Sequence, residues 1–271
     1  MTIDPKFLGH ASNIAHKRRR ASTDAQHAVV DHVNQQYEQL LSALSWAKPE
    51  TGWLEAPVAA LNAYTDTIKA IEKSDKFFNW RGDFASSLLP EFLFRVVLAR
   101  LEGLDVLPLF SRKDSIVDIT LNSYREGGWT VRKKNQDLCI GLRTDTIVDE
   151  KLSRTFVVPL IAIEAKTNID INKLNGLDFS ADRLKRTFPA AKYYLVTETL
   201  DFSLSKNYSG SIDEIFVLRK QMRSVSRRTK APYCSDVFEE FAEDVAHCML
   251  RADVSGGHVY DRLKGGKLIN V

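Results

Sequence analysis

Residues 156–166 read Phe-Val-Val-Pro-Leu-Ile-Ala-Ile-Glu-Ala-Lys, an apolar run that ends on two opposite charges. The β-branched residues predict a strand, and Pro159 predicts that this strand lies at a sheet edge or carries a bulge. Because side chains alternate across a strand, Glu164 and Lys166 project from one face and Ala165 from the other. Charges on an otherwise apolar strand require a specific explanation, since unpaired charges rarely lie inside a sheet.

The segments around this strand show both strand and helix patterns. Strands are predicted on both sides of it, over 115–123, 129–132, 136–142, 192–197 and 212–218. Apolar residues at helical spacing predict helices over 171–187 and 236–251. Strands joined by a crossover helix imply an α/β fold with a mixed central sheet flanked by helices.

The first third of the chain has helical spacing throughout. Helices are predicted over 24–46, 57–73 and 84–101. We therefore predict an N-terminal helical subdomain over 1–83 and an α/β core over 84–271. The core is expected to carry a basic segment and a final helix near its C-terminal end.

Composition sets broad limits on the class of protein. The 271 residues are 44% hydrophobic and 27% charged, which is typical of a globular protein, and the net charge of +3 neither requires nor excludes a polyanionic partner. The three cysteines have no zinc-ligand spacing, and 1–20 has no apolar core of a signal peptide. The apolar run 156–163 is too short to cross a bilayer, so we expect a cytoplasmic protein.

A bound metal ion explains charges at the end of an apolar strand. Glu164 offers a hard oxygen ligand that suits magnesium, and the Ala165 carbonyl is close enough to supply another. Asp137 opens the strand that precedes 156–166, and antiparallel pairing of the two strands would bring it beside Glu164. Lys166 would then lie next to the attacking water or a phosphate oxygen, where it assists deprotonation or stabilises negative charge.

Other interpretations of these residues remain open at this level. Asp114 and Asp118 compete with Asp137 for the role of second carboxylate, although both are earlier in the chain. Asp137 could instead only begin a strand, and Glu164 with Lys166 could form an exposed ion pair.

Glu91 is a further candidate because it lies in a helix that looks buried. A carboxylate there could orient the metal or its waters, and we include Glu91 among the catalytic candidates. Glutamate directly after proline is also common where a helix begins, so a purely structural role is the alternative.

These residues resemble the PD-(D/E)xK nuclease superfamily over 88–218. The resemblance rests on Asp137, then Glu164-Ala165-Lys166 ending an apolar strand, then a helix and a buried strand, with Gln136 in place of the motif's proline. Four segments are more closely similar to type II restriction endonucleases of the heterodimeric BbvCI kind, namely 88–93, 163–167, 181–186 and 195–198.

The resemblance implies a restriction-endonuclease-like fold and a magnesium-dependent DNA endonuclease that leaves 5′-phosphate and 3′-hydroxyl ends. Its expected partners are double-stranded DNA and either a related second subunit or a second copy of the chain, because one such site cuts one strand. A structure-specific repair or recombination nuclease and a non-catalytic DNA-binding protein on the same fold are the alternatives.

Basic clusters suggest where DNA would lie. Phosphate contacts are expected from two of them, comprising Arg132, Lys133, Lys134, Arg219, Lys220, Gln221, Arg223, Arg227 and Arg228. Gln221 and Arg223 could also reach base edges, and an ordinary solvated loop is the alternative for 219–230. A third cluster at 17–20 predicts either non-specific DNA contact or a disordered tail.

Overall fold

The computed structural model describes residues 7–45, 48–78, 83–104, 109–111, 115–123, 128–148, 152–202 and 210–254. The strands are β1 (Leu109–Ser111), β2 (Ser115–Ser123), β3 (Gly128–Lys134), β4 (Leu138–Val148), β5 (Leu152–Ile169), β6 (Lys192–Leu200) and β7 (Glu214–Val217). The helices are α1 (Gly9–Arg20), α2 (Asp24–Ser45), α3 (Glu55–Ser74), α4 (Asp83–Ser86), α5 (Leu88–Leu101), α6 (Ile171–Thr187), α7 (Arg223–Ser226) and α8 (Ser235–Val254).

Within the described residues the centre is a five-stranded mixed sheet in the order β1-β4-β5-β6-β7. The pairs β1–β4 and β4–β5 are antiparallel, whereas β5–β6 and β6–β7 are parallel. The crossover helix α6 connects β5 to β6, so the predicted mixed sheet is confirmed. β2 and β3 form a separate antiparallel pair.

The long strand β5 has a bulge next to its proline. Ile161 pairs with Ile140 of β4, but Gly141 pairs with Pro159, so Leu160 is the extra residue. Pairing with β6 begins only at Ile161, which leaves the missing N–H of Pro159 outside that ladder. The bulge is confirmed, and Pro159 lies in the part of β5 that pairs with β4 and not with β6, although β5 as a whole is a central strand.

Most of the predicted helices are present. The predictions over 24–46, 57–73, 171–187 and 236–251 correspond to α2, α3, α6 and α8, and the segment 84–101 is divided into α4 and α5. The basic cluster at 17–20 is the end of α1, so the disordered tail is wrong. The buried side chains of His10, Ile14 and Lys17 explain why this segment is helical and ordered.

The sheet has apolar side chains on both faces. Ala162, Tyr193 and Leu195 pack with α6, while Ile163 and Val196 belong to the larger core that includes the N-terminal helices and α8. That larger core contains residues from both sides of position 83, and the division into 1–83 and 84–271 stays a prediction. No helix in the described part of the chain is long and apolar enough to span a bilayer.

Candidate active site

Asp137, Glu164 and Lys166 form one compact cluster. The Nζ of Lys166 lies 2.7 Å from Glu164 Oε2 and 3.1 Å from Asp137 Oδ2. The backbone N–H of Ala165 donates to the same Asp137 oxygen at 2.8 Å. Two carboxylates therefore converge on one ammonium group, and one of them is anchored by backbone.

The pairing of β4 with β5 accounts for this geometry. Leu138 is opposite Ile163 in the antiparallel ladder, so Asp137, one residue before the start of β4, meets the segment that begins at Glu164. Alternation along β5 puts Glu164 and Lys166 on the same face. The β4–β5 hairpin predicted from the sequence is thus present, and it is longer than expected because 144–148 continue β4.

Burial and charge act against each other in the cluster. The side chain of Glu164 is 8% exposed, that of Asp137 27% and that of Lys166 35%. Burial opposes the charged form of Lys166, but the two carboxylates outweigh it and raise the pKa of this lysine. Lys166 is therefore an ammonium ion at neutral pH in this state of the site.

Two further side chains contact the second oxygen of Glu164. The Nζ of Lys134, at the end of β3, lies 3.3 Å from Glu164 Oε1, and the hydroxyl of Tyr193 donates to the same oxygen at 3.5 Å. Lys134 also lies 3.4 Å from the Tyr193 hydroxyl. The sequence prediction placed Lys134 among the DNA contacts and missed Tyr193, whose neighbours on β5 could not be identified without the parallel register of β5 and β6.

A cavity of about 300 Å³ adjoins this cluster. Asp137 and Lys166 line it on the sheet side, while Lys69 of α3 and Glu198 of β6 also line it. Residues of the N-terminal helices therefore form part of the wall next to the candidate site.

The donor set fits a hard divalent cation. Carboxylate oxygens of Asp137 and Glu164 face a common point, and oxygen is the ligand that magnesium prefers. Among the described residues no third His, Cys, Asp or Glu completes a metal-binding group with them. A metal at this point would have the two carboxylates available, with other oxygen ligands such as water or phosphate in the remaining positions.

Glu91 is not brought into this cluster. It is 2% exposed, and its Oε2 accepts the N–H groups of His10 and Ala11 at 2.8 and 3.1 Å. Its Oε1 accepts from the Tyr37 hydroxyl and from the Arg95 guanidinium. These donors occupy both oxygens, so Glu91 here holds the first turn of α1 against α5 and does not face the cavity.

Of the two competing aspartates, the structure describes only the backbone of Asp118. Asp114 lies outside the described residues. Asp118 is on β2, where its backbone is opposite Arg132 of β3.

The segment 219–230 divides into buried and exposed cations. Arg219 is 3% exposed, donates to Glu198 at 3.0 Å and lies 3.6 Å over the Tyr233 ring, so it is part of the interior and does not face DNA. The side chain of Gln221 bonds the backbone of Thr229 and Ala231, which closes the loop on itself.

The remaining basic residues of the sequence prediction lie nearer the surface. Lys220 pairs with Asp236, and Arg223 pairs with Asp201 at 2.9 Å. Besides the paired Lys220, the exposed residues are Arg132, Lys133, Arg227 and Arg228. These four positions, unlike Arg219 and Gln221, leave their side chains accessible to a phosphate backbone.

Comparison with known proteins gives two matches. The sequence model of a family described as Bpu10I restriction endonuclease matches residues 84–240. A solved structure described as the native BbvCI A2B2 tetramer at low resolution has a TM-score of 0.70 and 38% sequence identity, covering 96% of this chain and 100% of that chain. Curated protein sequences show no match. The predicted restriction-endonuclease-like fold is confirmed.

Proposed function

This chain belongs to the Bpu10I restriction endonuclease family, and we propose that it is the subunit that hydrolyses one strand of duplex DNA with magnesium. The observation that supports this most is the convergence of Asp137 and Glu164 on Lys166 beside an open cavity. The expected products carry 5′-phosphate and 3′-hydroxyl ends.

Each residue of the cluster has a distinct part in this proposal. Asp137, Glu164 and the Ala165 carbonyl hold the cation, and the Ala165 N–H keeps the Asp137 carboxylate in place. When bound, magnesium supplies a Lewis acid that polarises the phosphoryl group and acidifies the attacking water.

Lys166 contributes charge at the position where the phosphate gains negative charge. Its ammonium is held at the two carboxylates, so a phosphate oxygen that enters the cavity meets a donor already positioned for it. Loss of one such donor typically slows a reaction by about 10²- to 10³-fold.

Duplex DNA is the proposed substrate, with the exposed side chains of Arg132, Lys133, Arg227 and Arg228 contacting its phosphates. Because one site cuts one strand, double-strand cleavage requires a second site. The matching solved structure is described as an A2B2 tetramer, that is, two copies each of two different chains, which supports a related second subunit as a partner of this chain.

The proposal is tested by cleavage of a plasmid with the purified chain, alone and together with a related second subunit. Magnesium should permit cutting and EDTA should stop it. Lys166→Ala should lower the rate at this site by about 10²-fold or more while DNA binding persists. With an active second subunit, the variant should convert the enzyme into one that nicks.

A matched control is Lys48→Ala, which removes an exposed lysine from the loop between α2 and α3. This variant should cut both strands as the unaltered protein does. If Lys166→Ala instead cuts normally, the assignment of the active site is wrong, whereas a protein that binds duplex DNA but never cuts it favours the non-catalytic alternative.

A further inference from the structure

A second charged cluster borders the same cavity, and two of its members, Lys69 and Glu198, line the cavity wall. Glu198 on β6 is 8% exposed and accepts a hydrogen bond from Arg219 Nε at 3.0 Å. The Nζ atoms of Lys69 and Lys230 lie 3.6 and 3.8 Å from the same carboxylate oxygen. Three cations thus surround one carboxylate, which leaves an excess of positive charge.

Of the three cations, Arg219 is the one within hydrogen-bond distance of the Glu198 carboxylate. Its guanidinium also donates to the Ala231 carbonyl and stacks on Tyr233, so it is fixed in the interior. The two lysines are beyond hydrogen-bond distance of the carboxylate and are partly exposed, with 40% of the Lys69 side chain and 31% of the Lys230 side chain accessible. Their ammonium groups are therefore able to bind another acceptor.

The two lysines also repel each other. Burial and then the neighbouring Lys69 lower the pKa of Lys230 to about 8. Such crowding of cations is unfavourable unless an anion joins them, because Glu198 is the one carboxylate among the described residues that offsets the repulsion at Lys230. A bound anion would relieve it.

Thr65 provides an independent sign of a missing partner. It lies one turn before Lys69 on α3, lines the cavity and is only 4% exposed. Its hydroxyl oxygen has no hydrogen-bond partner among the described residues. A buried hydroxyl without a partner costs free energy, and an oxygen acceptor in the cavity would satisfy it.

We propose that Thr65, Lys69 and Lys230 form a second phosphate site, which binds a neighbouring phosphodiester of the strand whose scissile phosphate lies at Lys166. The proposal rests on the proposed nuclease function, since Asp137 and Lys166 line the same cavity. A phosphodiester suits the site because it brings negative charge to the lysines and oxygen acceptors to the hydroxyl. A metal cation does not suit it, since the net charge there is already positive.

The site also gives the N-terminal helices a role in substrate binding. Thr65 and Lys69 belong to α3, whereas Lys230 follows β7. A phosphate bound between them would connect the helical segment to the end of the sheet, close to the cluster on β5. The neighbouring phosphate would then set the position of the scissile one.

The test compares the double variant Lys69→Gln/Lys230→Gln with the control Lys48→Gln, each assembled with its related subunit. Affinity for a duplex that carries a mapped cut site is measured by fluorescence anisotropy in EDTA over a range of salt. The double variant should bind at least about 5-fold more weakly, and its log–log salt slope should decrease by about 0.9, the value for one phosphate contact. Unchanged affinity and slope would overturn the proposal.

Thr65→Val separates binding from folding, since valine keeps the shape and removes the hydroxyl. It should raise the melting temperature without DNA, because an unsatisfied buried group is gone, and should weaken duplex binding about 3-fold or more. A higher melting temperature with unchanged binding would show that the hydroxyl contacts no phosphate and would contradict the proposal.

A duplex with single methylphosphonate substitutions identifies the contacted phosphate. Neutralising the phosphate next to the scissile one should lower the affinity of the unaltered protein for the duplex but should not change the affinity of the double variant. Inorganic phosphate at millimolar concentration should displace the duplex more readily from the unaltered protein than from the double variant. Equal displacement from the two proteins would show that the site binds no phosphate group and would contradict the proposal. These affinities are measured in EDTA, where nothing is cut, so they report on the second phosphate site, while failure of the nuclease proposal is recognised by the Lys166→Ala assay.

Discussion

Glu91 and Glu164 are both buried glutamates that sequence reasoning assigned to one active site, yet their surroundings differ. Glu91 accepts hydrogen bonds from two backbone amides, a tyrosine and an arginine, all fixed by helices. Glu164 contacts the flexible ammonium groups of Lys134 and Lys166 and one tyrosine hydroxyl. Fixed donors suit a structural carboxylate, whereas lysines can move aside for a metal ion and a phosphate.

The largest expected effect is the loss of DNA cutting when Glu164, and not Glu91, is replaced. Glu164→Gln removes a charged ligand with little change of shape, so magnesium-dependent cutting by this subunit should fall by roughly 10³-fold. The melting temperature should change by only a few degrees, because no fixed backbone donor loses its acceptor. Plasmid nicking and thermal unfolding measure the two effects.

Glu38→Gln, at an exposed position on α2, is the control for this change and should leave both quantities unaltered. If the Glu164→Gln variant cuts at a normal rate, the Glu164 carboxylate is not a metal ligand. The proposed difference between a metal-binding Glu164 and a structural Glu91 would then be wrong.

The next effect is on stability. Glu91→Gln places an amide NH₂ against donors that require an acceptor and leaves Arg95 without its carboxylate. The free energy of unfolding should fall by about 3 kcal/mol or more. Denaturant titration measures this loss, and cutting per folded molecule should stay near that of the unaltered protein.

An opposite result would reverse the comparison. If Glu91→Gln abolishes cutting while the denaturation midpoint is unchanged, Glu91 belongs to the active site after all and its contacts in this structure rearrange when DNA binds.

The smallest effect concerns pH. His10 is fully buried next to Glu91, its Nδ1 faces the Phe84 carbonyl and its Nε2 faces the Tyr64 hydroxyl. Burial lowers its pKa from 6.5 to about 4. Between these values the unfolded chain binds a proton that the folded chain does not, so stability decreases as pH falls from 6.5 to 4.

The decrease attributable to His10 is at most about 3 kcal/mol and is absent above pH 6.5. It is measured as the slope of unfolding free energy against pH. His10→Gln should flatten this slope relative to the exposed control His27→Gln. Equal slopes in the two variants would show that His10 titrates normally in the folded protein.

Local patterns predicted much of the sheet and its site. The apolar run before Glu164 and the two-residue alternation predicted that Glu164 and Lys166 share a face, which the contact at 2.7 Å agrees with. Antiparallel pairing of neighbouring strands predicted the approach of Asp137. These features depend on residues close in sequence or joined by one hairpin, and their geometry follows from strand period alone.

Contacts between segments far apart in the chain could not be predicted from local sequence patterns. Glu91 was assigned to the site because a buried helix glutamate looks functional, but its partners His10 and Ala11 are 81 and 80 residues away. Arg219 looked like a DNA contact within a basic segment, although Glu198 and Tyr233 hold it in the interior. Charge patterns state which residues are basic, and only packing decides which of them meet solvent.

By itself the sequence determined the α/β order of elements, a departure from regular pairing at Pro159 and the pair of charges on β5, because each follows from backbone geometry over a few residues. Tertiary structure alone decided that α3 faces the sheet across a cavity, that Lys134 and Tyr193 reach Glu164, and that Glu91 holds α1. These depend on how helices far apart in the chain bury their apolar faces together, which no local period specifies.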